Sequence, residues 1–248
     1  MDVKPLIPIF SFVDLDDTLL QARHRRDPGL EGRLVAEHPM RIHAGWQCVK
    51  QQSLTAMLFS AGTVIPCTAR STRSIDQVDL GQPFTSWRIA SGGAVILRPD
   101  GTEDEVWRVR AVRHMDEAAV DLDRLLDRFK DERFPGRMLL DRERPIAVRF
   151  RVETREDRTP LAERVQRWLE ATTVVKGKLS VEIHQRNQTL TVRPFGTGKG
   201  DAVRYLLDTH LPYERLVLGF GDAPEDQGFL AHCDYAAHPN LNPYTRDP

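Results

Sequence analysis

Long apolar runs are missing from this chain of 248 residues. No stretch reaches the roughly 20 apolar residues that a membrane helix needs. The segment Leu6 to Val13 is apolar but short, contains Pro8 and runs straight into acids, so it lacks the pattern of a secretion signal. Cysteine is scarce as well. Cys48, Cys67 and Cys233 lie far apart and form no Cys-x-x-Cys pair, which argues against a zinc knuckle. An odd cysteine count without a secretion signal fits a reducing compartment, and the expectation is a cytoplasmic protein. Neither sign of charge is in excess: 35 basic residues face 36 acidic ones, for a net charge of −1. Nucleic acid and membranes are therefore not expected as partners. Solenoid-type repeats and long low-complexity segments are also lacking. What remains is 40% hydrophobic and 29% charged, enough apolar material for one large domain or for a core with a smaller insertion.

The punctuation of the chain favours the second arrangement. Ile9 to Val13 has no proline or glycine and reads as a short buried strand. Arg23 to Gly45 is polar, with Pro28, Gly29 and Pro39, and reads as a long loop or flap with at most one helical turn. "WQCVKQQSLTAMLFSAG" carries helix-like spacing at Val49, Leu54, Met57 and Leu58, and Gly62 suits its end. "TVIPCT" reads as a strand and "RSTRSIDQVDL" as a helix. "WRIAS" and "AVILRPDG" read as strands around Gly92 and Gly93. This alternation predicts a parallel sheet with crossover helices. The middle differs. "MDEAAVDLDRLLDRFKDERF" is an amphipathic helix with Ala118, Leu122, Leu125, Leu126 and Phe129 on one side. "RMLLD" and "IAVRFRV" follow as strands, then a helix "PLAERVQRWLEATT", then strands "KLSVEIH" and "QTLTVRP". Helix-strand-strand, twice, suits an α+β module with an antiparallel sheet. From Gly198 the alternation resumes with helix "KGDAVRYLLDTHL", strand "RLVLGF", an acidic turn and "CDYAAHP". The expectation is an α/β core of residues 1–110 and 191–248 interrupted by an α+β module over 111–190.

Within that frame, "FSFVDLDDTLL" places Asp14, Asp16 and Asp17 directly after a strand. Packed carboxylates repel one another and lose solvation when buried. In an open parallel sheet, ligands sit at the carboxyl ends of strands. Asp14 and Asp16 share one side of an extended backbone. "LVLGFGDAPEDQGFL" repeats the theme with Asp222 and Asp226, four apart, after another apolar strand, where Gly219 and Gly221 permit close backbone approach. Two acidic loops at adjacent strand ends would suit a hard divalent cation such as Mg²⁺. Taken singly, each loop also suits a helix cap. Thr68 ends a third strand, where its hydroxyl and nearby N–H groups can bind phosphate or cap a helix. Lys199 opens a glycine-rich helix entry, where it can hold phosphate or simply be solvated. "GTGKG" is not a nucleotide P-loop, because Arg193 and Gly200 stand where Gly and Ser/Thr are required. "GFGDAP" fails the dinucleotide fingerprint at Pro224.

Together, Asp14-Leu15-Asp16-Asp17-Thr18, Thr68, Lys199 and Gly221-Asp222-Ala223-Pro224-Glu225-Asp226 resemble the four motifs of the haloacid dehalogenase (HAD) superfamily, in order. The resemblance covers roughly residues 7–100 and 190–240, and the inserted module resembles that superfamily's type IIB cap, found in sucrose-phosphate, trehalose-phosphate and mannosyl-3-phosphoglycerate phosphatases. "SGGAVI" looks like the strand entry before such caps, with Gly92 in place of Asn.

The resemblance implies a Rossmann-like core with Asp14 as nucleophile and Asp16 as general acid and base. It implies Thr68 and Lys199 on the phosphoryl group, and Mg²⁺ held by Asp14, by the Asp16 carbonyl, and by Asp222 with Asp226 in support. The substrate class would be a small phosphorylated metabolite, most simply a sugar or polyol phosphate. A phosphomannomutase-like mutase or a non-catalytic phosphosugar-binding protein would carry similar motifs. Three departures stand out: Glu225 where many members have Asn, Ala223 where many have Ser, and the length of Arg23–Gly45. In the module, Arg149 and Arg151 share a strand face, as do Glu182 and His184. With Arg186 and Asn187 they form either a solvent-facing polar side or a grip on a sugar or second anion. Substrate identity and oligomeric state have no signature in the sequence.

Overall fold

The computed structural model describes residues 6–22, 29, 31–37, 44–131, 137–140, 148–151, 163, 179–184 and 189–239. In chain order its strands are β1 (Ile9–Val13), β2 (Gln21–Ala22), β3 (Gly32–Ala36), β4 (Gly45–Cys48), β5 (Thr63–Pro66), β6 (Arg88–Ala90), β7 (Val95–Leu97), β8 (Arg137–Leu140), β9 (Val148–Arg151), β10 (Leu179–His184), β11 (Thr189–Pro194), β12 (Leu216–Phe220) and β13 (Tyr235–Ala237). Among the described residues the α-helices are α1 (Val49–Ala61), α2 (Thr72–Ile75), α3 (Glu105–Asp131), α4 (Lys199–Thr209) and α5 (Gln227–Leu230). The chain divides into two compact units. The first holds residues 1–104, 199–222 and 226–248; the second holds 105–198 with 223–225.

The first unit is built on a parallel sheet in the order β13-β12-β1-β5. Strand β1 lies inside it, which is why its sequence is apolar on both faces, broken only by the buried Ser11, rather than an alternation. Phe12 and Val13 are fully buried, as are Leu15, Leu19, Leu58, Ile65 and Ile89. Each such side chain contributes about 1.5–3 kcal/mol on burial. The register sets up everything that follows. Val13 is opposite Phe220 on one side and Pro66 on the other. The three strands therefore end level, and Asp14, Cys67 and Gly221 leave the sheet together. Hairpin β6–β7 joins beyond β5 through the Cys67–Ile89 bridge. Its turn has Ser91 at φ 49° and Gly92 at φ 65°, the left-handed region where Gly and Asn are at ease.

Several expectations are corrected here. The Arg23–Gly45 stretch is not simply a loop: β3 lies within it, Gly45 opens β4, and with β2 they form an antiparallel sheet in the order β2-β4-β3. These strands are short and carry glycines, which hides them in the sequence. Gly32 is needed there, because a Cβ would meet Gln47 O and Trp46 Nε1, each at 2.5 Å. In α1 the apolar spacing misleads. Val49 and Met57 are each 52% exposed, while Thr55 is buried beside Leu58. Thr55 turns inward because its hydroxyl accepts a bond from buried Gln47 Nε2 at 2.8 Å, and that amide also donates to Leu19 O. The "RSTRSIDQVDL" helix shrinks to one turn, α2, because Asp79 N–H is captured by Val35 O of β3.

In the second unit, α3 begins at Glu105, ten residues before the expected start. Trp107 and Ala111 extend the stripe of Ala118 and Leu122, and all four are buried. The side chains of Leu125, Leu126 and Phe129 lie outside those described, as does the predicted helix "PLAERVQRWLEATT" apart from Glu163. The sheet is antiparallel, ordered β10-β11-β9-β8. Its register puts Met138, Phe150, Leu190 and Ile183 in one row and Leu140, Val148, Val192 and Val181 in another, on one face. The other face carries Arg137, Arg151, Thr189 and His184 in one row and Leu139, Arg149, Thr191 and Glu182 in the next. On that polar side, Thr191 and Arg193 of β11 are buried. Arg186 and Asn187 lie outside the described residues.

Candidate active site

The backbone after β1 turns sharply. The Leu15 carbonyl accepts N–H bonds from Thr18, Leu19 and Leu20, and Asp17 N–H donates to Leu20 O at 2.6 Å. Asp17 sits at φ 64°, a left-handed conformation that costs a non-glycine residue about 1–3 kcal/mol. Asp14 itself continues the sheet, its N–H donating to Phe220 O at 2.8 Å. On the other side of β1, Cys67 N–H donates to Val13 O at 2.8 Å. After β12, Gly221 is tied to β13 by its N–H to Ala237 O, and its carbonyl meets His238 Nδ1 at 2.9 Å. Gly221 admits no larger residue, since a Cβ would meet Asp226 Cβ at 2.7 Å.

These turns converge three acids and one lysine. Asp14, Asp222 and Asp226 each bring a carboxylate oxygen within 4.8 Å of the others. Lys199, first residue of α4, places its Nζ 2.7 Å from Asp14 Oδ1 and 2.7 Å from Asp226 Oδ1. Asp226 is wholly buried and uses its second oxygen to accept Asp222 N–H at 3.1 Å. It thus ties the lysine to the acidic loop. Burial opposes the charge on Lys199, but Asp14 and Asp226 outweigh it and hold the ammonium well above the ordinary lysine range. Burial pushes the Asp14 carboxyl well above its usual range. Lys199 pulls it down, while Asp226, Asp222 and Asp16 push further up. Burial likewise raises Cys67 against the pull of the same lysine, so its thiol stays protonated. When all three acids are ionised, three carboxylates against one ammonium leave an excess of negative charge around buried Asp14 and Asp226. That donor set suits a hard divalent cation, which takes carboxylate oxygens and would offset the excess.

Asp16 stands apart from this group. Its two oxygens accept Arg70 Nη2 and Nε, both at 2.7 Å. Thr68 is buried, and its hydroxyl accepts Arg70 N–H at 3.2 Å. The four residues Asp14, Asp222, Asp226 and Lys199 are therefore brought together, Thr68 ends the neighbouring strand, and the Asp16 side chain belongs to Arg70. Arg70 carries no weight in the sequence reading. The available signal was a cation two residues beyond Thr68, at the strand end nearest the first acidic loop.

This core is the haloacid dehalogenase-type α/β fold. A sucrose-phosphatase from Synechocystis sp., solved with sucrose and phosphate, superposes with a TM-score of 0.61 at 17% identity, over 93% of this chain and 82% of that one. A trehalose-6-phosphate phosphatase from Aspergillus fumigatus gives 0.52 at 15% identity, over 93% and 81%. A haloacid dehalogenase-like hydrolase from B. subtilis gives 0.50 at 15% identity, over 92% and 88%. At these identities the likeness is one of fold. No protein-family model matches the sequence, and no curated protein matches it. Among the described residues, no helix is long and apolar enough to cross a membrane.

Proposed function

We propose that this protein is a Mg²⁺-dependent phosphomonoester hydrolase for a small sugar or polyol phosphate, working through a covalent aspartyl-phosphate on Asp14. The observation that carries the reading is the junction of buried Asp14 with Lys199, Asp222 and Asp226 at the level ends of three parallel strands. A buried carboxylate beside a lysine is a nucleophile ready for an electrophile that brings its own negative charge. In the first step an Asp14 oxygen attacks phosphorus, the bond from phosphorus to the substrate oxygen breaks, and Asp16 gives that oxygen a proton. In the second, Asp16 takes a proton from water, the water oxygen attacks phosphorus, and the bond to Asp14 breaks to release inorganic phosphate. Lys199 and Thr68 hold the phosphoryl oxygens, since this chemistry depends on positioning and charge more than on covalent assistance. Asp14, Asp222 and the Asp16 carbonyl would hold the cation, with Asp226 behind them. Bound there, it would neutralise phosphoryl charge. Residues 111–190 act as a cap that sets specificity. The substrate class follows the two sugar-phosphate phosphatases that share the fold.

The test is phosphate release from a panel of sugar, polyol and glycerate phosphates, with Mg²⁺ and with EDTA. Release that requires the metal and vanishes in Asp14→Asn supports the reading. Metal-independent release, or an unaffected Asp14→Asn, removes it.

A further inference from the structure

Arg70 is a firmly placed cation outside the acid cluster. Its side chain is 15% exposed, although it comes from a loop. Five hydrogen bonds to four residues fix it. Its N–H donates to Thr68 Oγ1 at 3.2 Å, and its carbonyl accepts Ser91 N–H at 2.7 Å. Its guanidinium donates to both Asp16 oxygens at 2.7 Å and to Ser74 Oγ at 3.3 Å. Ser74 is in turn held by Ser71, whose Oγ accepts Ser74 N–H at 3.3 Å as the cap of α2. Thus the segment from Thr68 to Ile75 presents a rigid two-pronged donor to a carboxylate 54 positions away.

The recipient is not rigid by itself. The Asp16 side chain is 47% exposed, follows a strand end and precedes Asp17 in its left-handed conformation. A lone carboxylate there would sample its rotamers in solvent. A bidentate guanidinium–carboxylate pair fixes both the position and the plane of the carboxylate, which a lysine cannot do. General acid–base work needs the group within hydrogen-bond reach of the reacting oxygen. We infer that Arg70 is the positioning residue for Asp16: it holds the carboxylate between turnovers in the orientation from which it serves the leaving oxygen and then the water. The inference rests on the phosphatase reading above. Arg70 itself need not touch the substrate.

The experiment compares wild type, Arg70→Ala, Arg70→Lys, Asp16→Ala and Asp16→Ala/Arg70→Ala. Two substrates are used with Mg²⁺: a hexose phosphate with a poor leaving group and p-nitrophenyl phosphate with a good one. Arg70→Ala is expected to lower kcat at least about tenfold on the hexose phosphate, within the range of acid–base contributions. KM should stay within about twofold, and the loss on the aryl ester should be smaller. Arg70→Lys, which keeps the charge and one donor, should recover part of kcat and guards against misfolding of the alanine variant. In the Asp16→Ala background, Arg70→Ala should cost nothing more. Equal losses on both substrates, an equal loss in the Asp16→Ala background, or a rise in KM at constant kcat would each overturn the inference. Wild type that is active while Arg70→Ala is unchanged overturns it alone. Wild type that hydrolyses neither substrate overturns the phosphatase reading and the inference with it.

Discussion

Replacing Lys199 with alanine tests the site as a balance of charge. The lysine side chain is 10% exposed, and its ammonium sits 2.7 Å from Asp14, 8% exposed, and 2.7 Å from Asp226, which is fully buried. Removing it leaves two buried carboxylates facing each other and Asp222 with no ammonium between them. Breaking a buried pair by deleting one partner costs about 3–5 kcal/mol, because the surviving charge is stranded. At about 2–4 °C per kcal/mol for a chain of this size, the melting temperature should fall by about 6–20 °C. The assay is thermal unfolding at pH 7 in EDTA, followed by circular dichroism. A companion variant, Lys199→Ala/Asp226→Asn, removes the stranded charge and should recover much of the loss, so the two substitutions are not additive. Activity should drop about 10²–10³-fold in Lys199→Ala, the usual cost of one lost donor to a charged transition state. A melting temperature within about 2 °C of wild type would refute the view that Lys199 is the counter-charge of the cluster.

Other consequences are simpler to state. Mg²⁺ at about 100 times its Kd should raise stability by about 2.7 kcal/mol through linkage, and Asp222→Asn should abolish that gain in a thermal-shift titration. Gly200→Ala should destabilise by about 1–3 kcal/mol in urea unfolding, because a Cβ there would clash with Gly228 O and push α4, with Lys199 at its start, off α5. Burial, with Asp234 adding to it, pushes the Cys233 thiol up to about 12 from 9.0. Only the thiolate reacts, so alkylation of Cys233 in the native protein should be about 10³-fold slower near pH 8 than for a free thiol. It should then rise about tenfold per pH unit until the thiol titrates, while in denaturant all three cysteines should label quickly.

The acids were legible because each follows an apolar strand. A run such as Phe10 to Val13 that ends in carboxylates has one plausible place in a parallel sheet, and the level register of β1, β5 and β12 then brings the loops together. The inserted sheet was legible from alternation in "AVRFRV" and "VEIH", and its register adds that Arg149, Thr191 and Glu182 share one row. What escaped depends on partners distant in sequence. Nothing local says that Arg70 grips Asp16, or that Thr55 rather than Met57 turns inward to meet Gln47. Strands β3 and β4 were hidden because glycines at 32 and 45 are there to clear neighbouring side chains, and glycine reads as a break. The start of α3 was missed because the charged residues from Glu105 to His114 mask the Trp107–Ala111 stripe.

A covalent phosphoryl group on Asp14 is detected by acid-quench analysis of a single turnover with substrate carrying a radiolabelled phosphoryl group. If Asp14 is the nucleophile, label is bound to the protein within the first turnover, stable in acid, released by hydroxylamine as an acyl phosphate is, mapping to Asp14 and absent from Asp14→Asn. Release of labelled phosphate in the first turnover with no label ever on the protein, or label on Asp14→Asn, would contradict it.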